Sequence, residues 1–142
     1  MSFSLHPRLA ADSTYVGDFA LSQLRLAGAD FGPWLLLIPR KHDIEEIHHL
    51  SPSDQQTLWQ ESALVANCLE SLFTPDKLNI AAIGNLVPQL HLHHVARFRD
   101  DAVWPNPIWG HLHANPRPGP QQTALVNQFR DALTPQGLTV LS

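Results

Sequence analysis

The chain has little of what staples a small protein together from outside. One cysteine, Cys68, stands among 142 residues, so no internal disulfide can form and a reducing cytoplasm is the expected setting. Charge is also sparse. Charged residues make up 15% of the chain and the net charge is −4, which argues against binding to a nucleic-acid backbone or an anionic membrane, though not against a local pocket for a small anion. No apolar run approaches the length of a membrane span, and no N-terminal apolar core precedes a cleavage site. Internal repeats and dividing linkers are absent too. A single domain over residues 1–142 is therefore expected, with 44% hydrophobic residues to build its own core.

What the chain has in excess is histidine, nine in all. The densest group lies in Gln-Leu-His-Leu-His-His-Val-Ala-Arg, residues 89–97. Period-two alternation puts Gln89, His91, His93, Val95 and Arg97 on one face of a strand, and Leu90, Leu92, His94, Ala96 and Phe98 on the other. If the leucines face a core, the opposite face presents an amide, two imidazoles and a guanidinium about 7 Å apart, from the strand rise per residue pair. Packing does not call for such a row, which reads as a site. His94 falls on the apolar face and reads as a satisfied, partly buried histidine.

The remaining segments suggest what surrounds that strand. Residues 1–13 show no period and read as an entry loop or short turn. Tyr15–Leu21, weakened at Gly17-Asp18, and Gln23–Ala27 are extended, and residues 28–33 form a turn. Trp34–Ile38 is a short apolar run that predicts a strand buried on both faces. Ser51 caps a helix whose first position is Pro52 and whose third is Asp54; Leu58, Val65, Leu69 and Leu72 recur at helical spacing until Thr74-Pro75. Lys77–Ile83 reads as a strand ending in the Gly84-Asn85 turn, and so as an antiparallel neighbour of the histidine strand. Trp104 and Trp109 lie in an irregular segment that packs onto the body. Pro120 opens a second helix with Leu125, Val126, Phe129 and Leu133 inward. The predicted fold is α+β: about five antiparallel strands, one long helix across them and a short C-terminal helix, with the core over about 15–98 and the Trp/Pro-rich segment and helix over 99–142. So little helix leaves one sheet face open, which fits a homodimer.

Leu-Ile-Pro-Arg-Lys-His at 37–42, followed after the helix by His-Leu-His-His-Val-Ala-Arg at 91–97, resembles the histidine triad (HIT) superfamily of nucleotide hydrolases and nucleotidyl transferases. The resemblance covers roughly residues 15–98. It implies that a middle histidine attacks the α-phosphate of a nucleotide conjugate, that a nucleotidyl-histidine forms, and that water or another acceptor resolves it. Alignment on Val95-Ala96-Arg97 makes His91 the nucleophile, His93 the phosphate contact and Gln89 the occupant of the first triad position. It also matches Asn85 and Asp30 to nucleotide-contacting residues, and His42 stands as a neighbour of the site. No cofactor is required. The pattern departs from the family where Gln89 replaces a histidine, where Trp34 holds a position that is histidine in many members, and where only Asn85–Pro88 remains of a longer phosphate-holding stretch. The Trp-Pro-x-Pro-x-Trp-Gly segment at 104–110 resembles a bacterial subgroup. The chemistry suits the residues: a neutral imidazole is a good nucleophile near pH 7 once its other nitrogen is held by a carbonyl.

Two other readings remain open. The departures suit a nucleotide- or partner-binding module with weak chemistry. Alternatively His91 and His93 form half of a zinc site completed by His42, or by His111 and His113.

Overall fold

The computed structural model describes residues 2–141. Its frame is a five-stranded antiparallel sheet: β1 (Ser13–Asp18), β2 (Ser22–Ala27), β3 (Trp34–Pro39), β4 (Lys77–Ala81) and β5 (Leu92–Arg97), in the order β1-β2-β3-β5-β4. The histidine strand thus lies between β3 and β4, with the predicted antiparallel pairing to β4. β3 is central and apolar throughout, and the two sides of its sequence go to different places. Leu35 and Leu37 join the main core, while Leu36 and Ile38 join a smaller cluster on the opposite face.

The main core lies under two helices. Helix α2 (Pro52–Phe73) starts where its sequence says it must: Ser51 Oγ accepts from the Asp54 N–H at 3.1 Å, and Pro52 takes the first turn. It ends at Thr74, which adopts a left-handed φ of 49°. Leu58, Val65 and Leu69 are fully buried beneath it, and each such side chain contributes about 1.5–3 kcal/mol. Helix α3 (Gly119–Leu133) buries Val126, Phe129 and Leu133 beside it.

Four local expectations are corrected. Residues Pro7–Asp12 form a short helix, α1, with Pro7 in its first turn and His6 Nδ1 accepting from the Arg8 N–H at 3.0 Å. Strand β1 starts two residues earlier than its pattern suggests and ends at Asp18. Its register shifts between Tyr15 and Gly17, and a Cβ on Gly17 would lie 2.7 Å from the Leu138 side chain, so the glycine admits the C-terminal segment. Strand β4 ends at Ala81, not Ile83. Strand β5 begins at Leu92, not Gln89, because pairing with β3 stops at Leu37 opposite Leu92, two residues short of Pro39, which has no N–H to offer. The open face of the sheet is also better covered than its helix content suggests: Phe3, Leu5 and Leu9 pack there against Leu36, Ile38, Trp34 and Val87.

Candidate active site

His91 and His93 come off the start of β5 onto this second face, while His94 turns into the core. The row predicted at strand spacing is tighter than expected, with ring centroids of His91 and His93 4.9 Å apart. Neither ring is exposed: 7% of His91 and 6% of His93 is open to solvent. The rings form the wall of a cleft.

Hydrogen bonds fix the protons on all three rings. His91 Nδ1 lies 2.7 Å from the Gln89 carbonyl oxygen. A carbonyl can only accept, so Nδ1 carries the proton and Nε2 keeps its lone pair. Among the described residues nothing occupies that lone pair. His93 is held at both ends: Trp34 Nε1–H donates to Nδ1 at 3.0 Å, and Nε2–H donates to the Ile83 carbonyl at 3.2 Å. His94, only 1% exposed, donates through Nδ1 to the Leu92 carbonyl at 3.1 Å and accepts at Nε2 from Ser62 Oγ at 2.7 Å. Burial pushes the His93 pKa down to about 4, helped by neighbouring His91 and His94 and opposed by the bond to Ile83. Burial likewise takes His94 down to about 4. Both are neutral at pH 7.

The cleft holds about 630 Å³ and is mostly apolar, a size and character suited to a small organic ligand. Trp34 and Leu36 form its floor beside the histidines, and the Gly28-Ala29 turn and Asn115 close one side. Arg8 and Asp12 reach it from α1, and Trp109 from the C-terminal segment sets its ring edge-on to His93 at 5.0 Å. The loop after β4 wraps the histidines closely. A Cβ on Gly84 would meet the Val87 carbonyl at 2.6 Å and His91 Cε1 at 3.3 Å, so the loop lies against His91 only because residue 84 has no side chain.

The predicted site residues do not all meet. Asn85 lines the cleft. Gln89 acts on His91 through its main chain, while its side chain turns the other way: its Oε1 accepts from the His6 N–H and its Nε2 donates to the Ser4 carbonyl, each at 2.9 Å. Asp30 does not line the cleft. Its N–H is tied to the Asn115 carbonyl at 2.8 Å, its side chain is exposed, and only its neighbours Gly28 and Ala29 reach the cavity. His42 is exposed and lines a separate depression with His6 and Lys41. The zinc reading loses its third ligand, because His111 and His113 are exposed and no three His, Cys, Asp or Glu groups gather as a metal set among the described residues. Arg97, which shares the predicted face with the two histidines, does not line the cleft: it holds Asp101 at 2.8 Å and 3.1 Å and Asn79 at 2.8 Å, under Trp104 and Phe31. Burial opposes ionisation of Asp101, but hydrogen bonds from Arg97, Phe98 and Val103 and the charge of Arg97 hold its pKa to about 2.

Trp34, a departure from the family pattern, and Trp109, expected only to pack, both line the cleft, as do Arg8, Asp12 and Asn115, for which the sequence offers no functional signal. Pro7, suited to a first helical turn, is the one local signal for α1. Trp34, Trp109 and Asn115 carry no signal in a linear pattern, since they reach the cleft from β3 and from the C-terminal segment, far apart along the chain.

A helix-backed antiparallel sheet with a His-x-His pair at the start of an interior strand, facing a ligand-sized cleft, is the arrangement of the small histidine-motif α+β proteins. The family model of the HIT domain matches residues 8–100, and the chain belongs to that family. Among solved structures it is similar to a histidine triad protein from Bradyrhizobium japonicum, with 39% identity over 93% of this chain and 98% of that one and a TM-score of 0.89. It is similar to one from Marinobacter aquaeolei at 39% identity, 95% and 98% coverage and a TM-score of 0.91. A third, from Sinorhizobium meliloti, shares 39% identity over 92% of this chain and 97% of that one, with a TM-score of 0.88. No curated protein matches the chain.

Proposed function

We propose that the chain is a cytoplasmic nucleotide hydrolase or nucleotidyl transferase that works through a nucleotidyl-histidine intermediate. The observation that carries this reading is the proton placement on His91: Nδ1–H is tied to the Gln89 carbonyl at 2.7 Å, leaving the Nε2 lone pair on the cleft side. In the proposed reaction Nε2 attacks the α-phosphorus, a P–N bond forms, the bond to the leaving group breaks, and the leaving group departs with its electron pair. Water or another acceptor then displaces His91. As charge grows on the phosphoryl oxygens, His93 Nε2–H donates to one of them by exchanging its bond to the Ile83 carbonyl. Asn85, Arg8 and the floor of Trp34 and Leu36 hold the nucleotide.

The test is mass spectrometry of the protein after brief incubation with a nucleotide phosphoramidate or a dinucleoside polyphosphate, quenched at high pH, with product measured in the same sample. An added nucleoside monophosphate on His91 supports the reading. Product without any requirement for His91 rejects it. One observation favours a second reading, a module that binds nucleotide with weak chemistry: the only N–H of His93 is already committed to Ile83. Tight nucleotide binding with neither adduct nor product would select that reading.

A further inference from the structure

Trp34 occupies a position where an imidazole could serve either as donor or as acceptor. An indole cannot. Its Nε1–H is a donor only, and it lies 3.0 Å from His93 Nδ1, so the lone pair must be on Nδ1 and the single proton on Nε2. The opposite end agrees, because Nε2 faces the Ile83 carbonyl at 3.2 Å, which can only accept. Adding a second proton to His93 would set one N–H against another at the Trp34 contact. The ring also cannot turn away from the clash, since Trp34, His91 and Trp109 surround it at centroid distances of 5.8, 4.9 and 5.0 Å. The two histidines consequently hold opposite tautomers: His91 is protonated on Nδ1 and His93 on Nε2.

We propose that Trp34 is a positioning residue that locks His93 in the Nε2–H tautomer and bars its protonation, so that His93 supplies a fixed hydrogen-bond donor and is not a source of protons. Resting on the reaction proposed above, this makes the first step one in which the leaving group departs unprotonated by His93. The site then favours leaving groups that are stable as anions. The charged and titratable groups around His93 are His91 just before its strand, His94 next to it but turned to the opposite face, and, across the cleft, Arg8 and Asp12 on α1, which are paired with each other at 3.5 Å. Strand β3, the loop after β4 and the C-terminal segment present Trp34, Ile83 and Trp109, none of which titrates as His93 does.

The experiment is nitrogen NMR of histidine rings in the full-length protein, comparing the wild type with Trp34→Phe, which keeps an aromatic ring and deletes only the donor. In the wild type the His93 nitrogens report the neutral Nε2–H form, unchanged from about pH 8 down to about pH 5, the range in which an unperturbed histidine titrates. In Trp34→Phe the Ile83 carbonyl and the burial of the ring remain, so the Nε2–H form stays in the majority; the Nδ1–H form gains a measurable population, and the ring titrates above its wild-type value but still below the ordinary value of about 6.5. A wild-type His93 carrying its proton on Nδ1, or becoming imidazolium in that range, overturns the proposal. So does a variant whose tautomer and titration match the wild type. If Trp34→Phe fails to fold, the wild type still decides. A scalar coupling across the hydrogen bond between Trp34 Nε1 and His93 Nδ1 is required in fully labelled protein, and its absence overturns the lock. None of these readouts depends on turnover, so failure of the lock and failure of the proposed reaction are separately visible. Where turnover is measured, Trp34→Phe adds to the pH profile of kcat a dependence on the protonation of His93.

Discussion

At the scale of the single residue, a histidine in this protein is defined by what its two nitrogens touch. Three histidines within four residues have three fates: among the described residues nothing engages the His91 lone pair, His93 has none to spare, and His94 is sealed against Ser62. On the proposed reaction, His91→Ala lowers turnover by roughly 10⁴-fold or more, as loss of a nucleophile does. Because His91 is buried against His93, the same change also costs about 1 kcal/mol of stability. Steady-state kinetics with urea unfolding separates the two effects, and full activity in a folded variant would dismiss the assignment.

The buried pair predicts a pH dependence of folding. His93 and His94 have pKa values near 4 when folded, against about 6.5 when unfolded. Between those values the unfolded chain binds more protons, so stability falls as pH falls. The contribution is complete above about pH 6.5, is lost on the way to about pH 4, and is on the order of 3 kcal/mol for each ring. Asp101, held to about 2, adds its own loss as pH falls from the ordinary carboxylate value of about 4 toward about 2. Urea midpoints measured from about pH 7 to about pH 4.5 check this; a flat profile would show that the rings are not held neutral.

At the scale of the element, the segment between β4 and β5 is short and does several things at once. Ile83 accepts from His93, Gly84 lets the chain pass against His91, and the Gln89 carbonyl sets the His91 proton. The Gln89 side chain meanwhile clamps Ser4 and His6, just ahead of α1. Gln89→Ala removes both clamp bonds and leaves the carbonyl in place. It is expected to cost about 1–2 kcal/mol and, by loosening Arg8 and Asp12 at the cleft, to raise KM more than it lowers kcat. A large fall in kcat with KM unchanged would instead put the amide in the chemistry.

At the scale of the whole molecule, the face that carries the histidines is closed by parts remote in sequence. Arg117 is buried and binds the Ala27 and Gly32 carbonyls at 2.9 and 3.0 Å, joining the C-terminal segment to the turn before β3. Arg97 anchors the start of that segment through Asp101. Ile80, Ile83 and Leu86, on β4 and the loop after it, remain exposed. They support the proposal that two copies pair, since unpartnered apolar side chains beside an edge strand invite association. Light scattering is expected to give about twice the 15.8 kDa chain mass, and the mass of one chain at micromolar concentration would reject pairing.

Much of this was legible in one dimension because it rests on periodicity and local chemistry. Helix α2 announced itself through Ser51, Pro52 and a leucine stripe, and alternation along 89–97 separated His91 and His93 from His94 without any knowledge of the fold. Strand ends were less legible: the start of β5 at Leu92 depends on Pro39, 53 residues earlier and one strand over. Asp30 and His42 were placed by motif spacing alone. Spacing along a chain does not report whether a side chain turns toward a cleft or toward water. The sequence by itself determined the elements, the buried faces and the pair of imidazoles, since these follow from side-chain period and from caps that act within a few residues. Only the tertiary structure decided which nitrogen of each ring carries a proton. That depends on the partner at each ring edge, and those partners, Trp34, Ile83 and Ser62, come from a neighbouring strand, a loop and a helix that meet the histidines only when the chain is folded.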